Sequence, residues 1–110
     1  MKLETNENGL EKIIFMYLNN KNFLIKETSY DYYFLENERD EYAQIKIRKK
    51  SMVCFIYYEL IEEIKSFFSI EFPMVKDILT RYVENTLNIK VSNTLSSFSN
   101  LENVVENTLN

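Results

Sequence analysis

Apolar and polar positions alternate along this chain with two different periods, and the period changes mark the elements. Leu10, Ile13, Ile14, Tyr17 and Leu18 recur at helical spacing, which predicts a helix over 9–19. Asn8 serves as its cap, with Glu11 three residues on in the manner of a capping box. Period-two runs follow at 22–28, 32–36 and 42–48, then a near-continuous apolar run at 52–57. In the third run Ile45 and Ile47 point one way and Gln44, Lys46 and Arg48 the other. Polar turns separate these runs, and their short lengths imply antiparallel pairing.

The helical period then returns. Tyr57, Leu60, Ile61, Ile64, Phe67 and Phe68 form one stripe, with Glu59, Glu62, Glu63 and Ser66 on the other side. Phe72-Pro73 ends that helix, because proline lacks the N–H and disfavours helix in the preceding residue. Pro73 suits the first turn of a new helix, whose inner face carries Val75, Ile78, Leu79, Tyr82 and Thr86. Asn85 and Asn88 are its C-terminal cap candidates. The predicted fold is α+β: an N-terminal helix, an antiparallel meander of three to four strands, then two amphipathic helices on one sheet face. The opposite sheet face is expected to meet solvent. A winged-helix order would need further helices before its hairpin, and here the strands come too early.

The single domain is expected to span 1–91. From Ser92 onward Ser and Asn dominate, so 92–110 reads as a polar tail. Within it, Ser99 and Glu102 are spaced as a capping box, and Leu101, Val104, Val105 and Leu109 follow at helical spacing, so a short docking helix is an alternative. The hexapeptide VENTLN occurs at 83–88 and again at 105–110; two copies are too few for a solenoid.

Composition narrows the chemistry. Among 110 residues there is no histidine, one cysteine, one glycine and one proline. Without histidine the usual general base and commonest metal ligand are gone. One cysteine rules out an internal disulfide and, without histidine, a structural zinc site. Cys54 sits in the most apolar strand and reads as a small buried hydrophobe. A lone Gly9 cannot make a glycine-rich phosphate loop. No cofactor, metal or catalytic constellation is expected, and the chain reads as a non-enzyme. No apolar run reaches spanning length and the N-terminus lacks a signal-peptide layout, so a cytoplasmic, membrane-free protein is expected.

Two surfaces remain. Sixteen aromatic side chains, 8 Tyr and 8 Phe, include Tyr30, Tyr32, Tyr33 and Tyr42 on the sheet segments, and sheet-face tyrosines make good protein anchors. Beside them the 36–41 loop carries Glu36, Glu38, Asp40 and Glu41. As a calcium site that loop lacks the spacing and central glycine of an EF-hand. Together these residues are the expected protein-binding surface. The alternative is a basic hairpin, Lys46, Arg48, Lys49 and Lys50, placed to meet RNA or DNA phosphates. A net charge of −4 gives no bulk attraction to nucleic acid.

The stretch 52–94 resembles the C-terminal half of small uncharacterised proteins carried by phages and other mobile elements. The shared features are an apolar strand, the run LIEEIKSFFSI, and a helix ending RYVENTLNIKVSNT; where relatives often place Trp before Val-Glu, this chain has Tyr82 before Val83-Glu84. The resemblance implies an accessory protein but supplies no activity or site residues. By analogy with such proteins, a larger host or phage protein is the expected partner, a nuclease or ribonucleoprotein among the candidates, inhibited as an anti-CRISPR protein inhibits.

Overall fold

In a computed structural model, the described residues are 2–102, with side chains from Gly9 onward. The order is α1 (Lys2–Asn20), β1 (Leu24–Glu27), β2 (Asp31–Leu35), β3 (Tyr42–Ala43), β4 (Ile45–Arg48), β5 (Val53–Tyr57), α2 (Tyr58–Phe68), α3 (Phe72–Leu87), β6 (Asn93–Ser97) and β7 (Leu101–Glu102). The class is α+β, as the alternation of periods predicts. Helix α1 starts well before Gly9, so Asn8 is interior to it and not its cap. A lone glycine costs a helix only about 1 kcal/mol, too little to stop it.

The main sheet has the order β1-β2-β4-β5-β6, and the first four strands form the expected antiparallel meander. The fifth departs from expectation. After α2 and α3 the chain returns alongside β5 in parallel, with Val53 opposite Asn93 and Tyr57 opposite Ser97. Residues 93–97, expected in a polar tail, are therefore a sheet strand. Residues 101–102, expected to open a short helix, are β7, which pairs with β3. The rest of that expected helix lies outside the described residues.

Helix-facing residues Phe34, Ile45, Ile47, Cys54 and Ile56 are buried against Ile14 and Leu18 of α1, Leu60, Ile61 and Ile64 of α2, and Val75, Ile78, Leu79 and Val83 of α3. Register explains the selection: Phe34 faces Ile45, and Ile45 faces Ile56, so one apolar row crosses three strands. Around this core, Glu11 pairs with Arg81 at 2.8 Å and Phe15 meets Tyr82 edge-on at 5.8 Å, pinning α1 to α3. Tyr17 donates to Glu63 at 2.5 Å while Lys21 pairs with the same carboxylate at 2.7 Å, pinning α1 to α2.

The second sheet face is not bare. Tyr33, Leu35, Ala43 and Leu101 form a second buried cluster, with Phe55 and Tyr57 half-buried against it. The expectation of one solvent-facing side is thus corrected: the segment after β6 crosses back and lays Leu101 on it. The strand expected at 42–48 breaks to allow this. The Gln44 N–H bonds Phe34 O and the Gln44 carbonyl accepts from Tyr57 N–H, both at 2.9 Å. Beyond that point Tyr42 and Ala43 leave the main sheet and pair with Glu102 and Leu101.

Turns are made without glycine. Asn22, Met52, Ser69 and Asn88 take left-handed conformations, φ 54° to 57°. Ser69 closes α2 and Asn88 closes α3, the latter as its spacing predicts.

Candidate protein-binding surface

Strand direction sorts the charges. The 36–41 loop follows β2, and α2 begins where β5 stops, so both lie at one end of the sheet. The β4–β5 turn, with Lys49 and Lys50, lies at the other. The chain is consequently polarised in net charge: Glu36, Glu38, Asp40, Glu41, Glu59 and Glu102 outnumber Arg39 at one end, and Arg48, Lys49 and Lys50 stand with Glu27 and Asp31 at the other.

At the acidic end an open depression of about 300 Å3 is lined by Asp40, Glu41, Tyr42, Gln44, Tyr57, Glu59 and Asn100 among others. Each comes from a different local cause. Asp40 is fixed by its own turn: its Oδ2 accepts from Asn37 N–H at 2.9 Å, and its N–H donates to Asn37 O at 3.1 Å. Tyr42 stands at the break between β3 and β4, still 44% exposed. Tyr57 is the last residue of β5, on the face away from the helices, and it precedes Glu59 in the first turn of α2. Partial burial, then the Glu59 carboxylate, raise the Tyr57 phenol above its ordinary value. Like an unshifted phenol, it is a neutral donor beside these carboxylates at physiological pH. The wall can offer carboxylate acceptors and phenol donors to a cationic partner.

The predicted surface residues divide. Glu36, Glu38, Asp40, Glu41 and Tyr42 are brought to the acidic end, where Glu36 is also 3.9 Å from Lys21. Tyr30, 72% exposed, is in the β1–β2 turn at the basic end, where its carbonyl accepts from Lys49 N–H. Tyr32 points to the helix side and is half-buried, with the Lys49 ammonium 5.0 Å from its ring. Tyr33 is only 1% exposed. Its hydroxyl donates to Asp31 at 3.2 Å, and Lys26 and Lys46 flank its ring at 6.0 and 5.8 Å. It serves the second core, so it presents no anchor to a partner. Sequence reasoning missed Tyr57, Glu59 and Asn100. Tyr57 carries a signal: it continues the Val53, Phe55 parity that faces away from the helices.

The basic hairpin is largely answered from within. Lys49 bonds Glu27 at 2.6 Å, and the Arg48 guanidinium lies 3.8 Å from Asp31. Asp31 is buried and its Oδ1 has no hydrogen bond, so Arg48 is its main compensating charge. Lys46 lays its ammonium over Tyr33, and Lys50 is exposed.

Cys54 is fully buried, and burial, followed by the Glu84 charge, pushes its thiol up to about 12. Among the described residues no three carboxylate or thiol groups approach closely enough to hold a metal ion. No helix among them is long and apolar enough to cross a membrane. Comparison of the chain with known family models, with characterised proteins and with solved structures finds no match.

Proposed function

We propose that this chain is a non-enzymatic binding protein that attaches through its acidic end to a basic surface on a larger protein and modulates it. An inhibitor carried by a phage or other mobile element is the setting in which we place it, and a nuclease or ribonucleoprotein partner fits the chemistry. A groove built to hold phosphates is lined by Arg and Lys, and an array of fixed carboxylates competes for the same cations. The observation that carries the reading is the convergence of Asp40, Glu41 and Glu59 with Tyr42 and Tyr57 in one depression. Tyrosine beside charge is the composition of binding hot spots, since it buries a large rigid area at low entropic cost. The nucleic-acid reading is weaker because Arg48 and Lys49 already face Asp31 and Glu27.

The test is affinity capture from lysates of bacterial hosts with three baits, in nuclease-treated and untreated lanes. The wild-type chain is expected to retain one stoichiometric protein in both lanes. A bait carrying Asp40→Lys, Glu41→Lys and Glu59→Lys should lose it, while one carrying Lys49→Glu and Lys50→Glu should keep it. Binding that disappears only with the second bait, or only after nuclease, would transfer the function to the basic hairpin.

A further inference from the structure

The two edges of the main sheet are β1 and β6. Edge strands expose unpaired backbone groups, and proteins guard them with charge, proline or bulges. Strand β1 follows that rule, with Lys26 and Glu27 in its four residues. Strand β6 does not. From Val91 to Leu101 the chain carries no charged residue, no proline and no glycine. Among the described residues, no strand pairs with the outer side of β6. The strand is neutral, β-favouring around Thr94 and Leu95, carries the exposed Leu95 (42%) and is followed by Phe98, 76% exposed with one side of its ring 5.1 Å from Tyr58.

We infer that β6 is the seat of a symmetric dimer, in which two copies of this chain pair β6 against β6 antiparallel and join their sheets. The backbone itself selects the register. Thr94 N–H bonds the Asn93 side chain at 3.0 Å and so faces away from β5. By the period of two, Ser96 faces outward as well. An antiparallel partner must set outward-facing residues opposite each other. Centring the two-fold on Leu95 does this: Thr94 meets Ser96 of the second copy, its N–H trading the Asn93 side-chain acceptor for the Ser96 carbonyl while its own carbonyl accepts from Ser96 N–H, and Leu95 meets Leu95. The Leu95 pair becomes a close non-hydrogen-bonded contact on the face away from the helices.

The same register sets Phe98 beside Ser92 of the second copy. There a groove of about 260 Å3 lies between α3 and β6, lined by Lys76, Asp77, Thr80, Ser92 and Thr94 among others. The most exposed ring of the chain is thereby placed at a groove with small residues along its strand side. A neutral strand opposing its own copy brings no like charges together, which is what an isologous interface needs. A charged peptide would find no counterpart on β6. The C-terminal end of β6 reaches the acidic end, where Ser97 lies opposite Tyr57 and the Phe98 ring meets Tyr58 at 5.1 Å, so the test substitutes Leu95, which does not line the acidic depression.

The experiment uses the full chain. Sedimentation equilibrium over a wide concentration range is expected to give twice the chain mass for wild type. Leu95→Lys and Leu95→Glu, each alone, bring like charges together on the axis and should give the single mass. Mixed one to one, they should restore the doubled mass. Both must keep a cooperative melt, since Leu95 is partly exposed in the single chain. Hydrogen exchange on wild type provides a second readout: Thr94 and Ser96 amides should gain protection as concentration rises, while edge amides of β1 should not. A single mass for wild type at every concentration, a doubled mass that survives either variant, or a mixture that stays at the single mass overturns the inference.

Discussion

Leu101→Ala tests whether the second sheet face is a packed layer. Leu101 is 7% exposed and touches the cluster of Tyr33, Leu35 and Ala43. Truncation to alanine removes the equivalent of three methylenes, about 2.4 kcal/mol at roughly 0.8 each. A cavity term adds to this where walls are rigid. Here Phe55 and Tyr57 are only half-buried and can close part of the gap. The expected loss is therefore about 2–3 kcal/mol, the low half of the range for buried leucine. A domain of this size holds roughly 5–15 kcal/mol, so the variant still folds. With a urea slope of about 1–3 kcal/mol per molar, the midpoint should fall by about 1–2 M at unchanged slope. Leu95→Ala, removing the same atoms from a partly exposed site, should cost less than about 1 kcal/mol when measured on the single chain at low concentration. Equal, small effects from the two substitutions would refute the packed second layer. A change in slope with Leu101→Ala would instead mean that this segment unfolds separately.

Two further substitutions probe the helices. Gly9→Ala lies inside α1, where a Cβ meets nothing within 4 Å, and should stabilise by about 0.5–1 kcal/mol in a thermal melt; no change would mean that the helix begins at Gly9, as the apolar pattern alone suggests. The Tyr17–Glu63–Lys21 cluster should give stability a dependence at both ends of the pH scale. The hydrogen bond to Glu63, then burial, push the Tyr17 phenol up to about 12, so its contribution is complete below pH 10 and is lost as pH rises through 10 toward 12. Burial raises the Glu63 carboxyl, but hydrogen bonds from Lys21 and Tyr17 outweigh it and hold it below 4.5; its contribution is complete above 4.5 and is lost as pH falls further. Glu63→Gln should flatten both limbs of a plot of melting temperature against pH, and an unchanged alkaline limb would show that Tyr17 does not depend on Glu63.

The helices and strands β4 and β5 were legible because each buries a single stripe. Ile45 and Ile47 alternate with Lys46 and Arg48, and Leu60, Ile61 and Ile64 keep the helical spacing, so period and burial coincide. Strand β2 is harder to read: Tyr33 and Leu35 are buried on one side and Tyr32 and Phe34 face the other, so alternation vanishes where both faces are covered. Strand β6 gave almost no signal. As an edge it buries only Thr94, whose hydroxyl meets Thr80 at 2.6 Å, and a run of NTLSS looks like a linker. At the candidate surface the acidic loop and Tyr42 were visible as composition. Tyr57, Glu59 and Asn100 were not, because only the tertiary fold brings the ends of β5, α2 and the β6–β7 turn together. Tyr33 was misplaced for the same reason: its burial depends on Leu101, far along the chain.

The parallel return of β6 also sets a timetable for synthesis. Strand β5 pairs with β4 across a turn of a few residues, but its other neighbour lies beyond both later helices. Loop closure of that span must precede any reward from the pairing. On the ribosome, the meander and α2–α3 can assemble while β5 keeps one open side. That side is filled only when β6 has cleared the exit tunnel, so the nascent protein passes through a stage in which a hydrophobic strand is paired on one side only. Slow translation between β5 and β6 would prolong that stage and favour aggregation over completion.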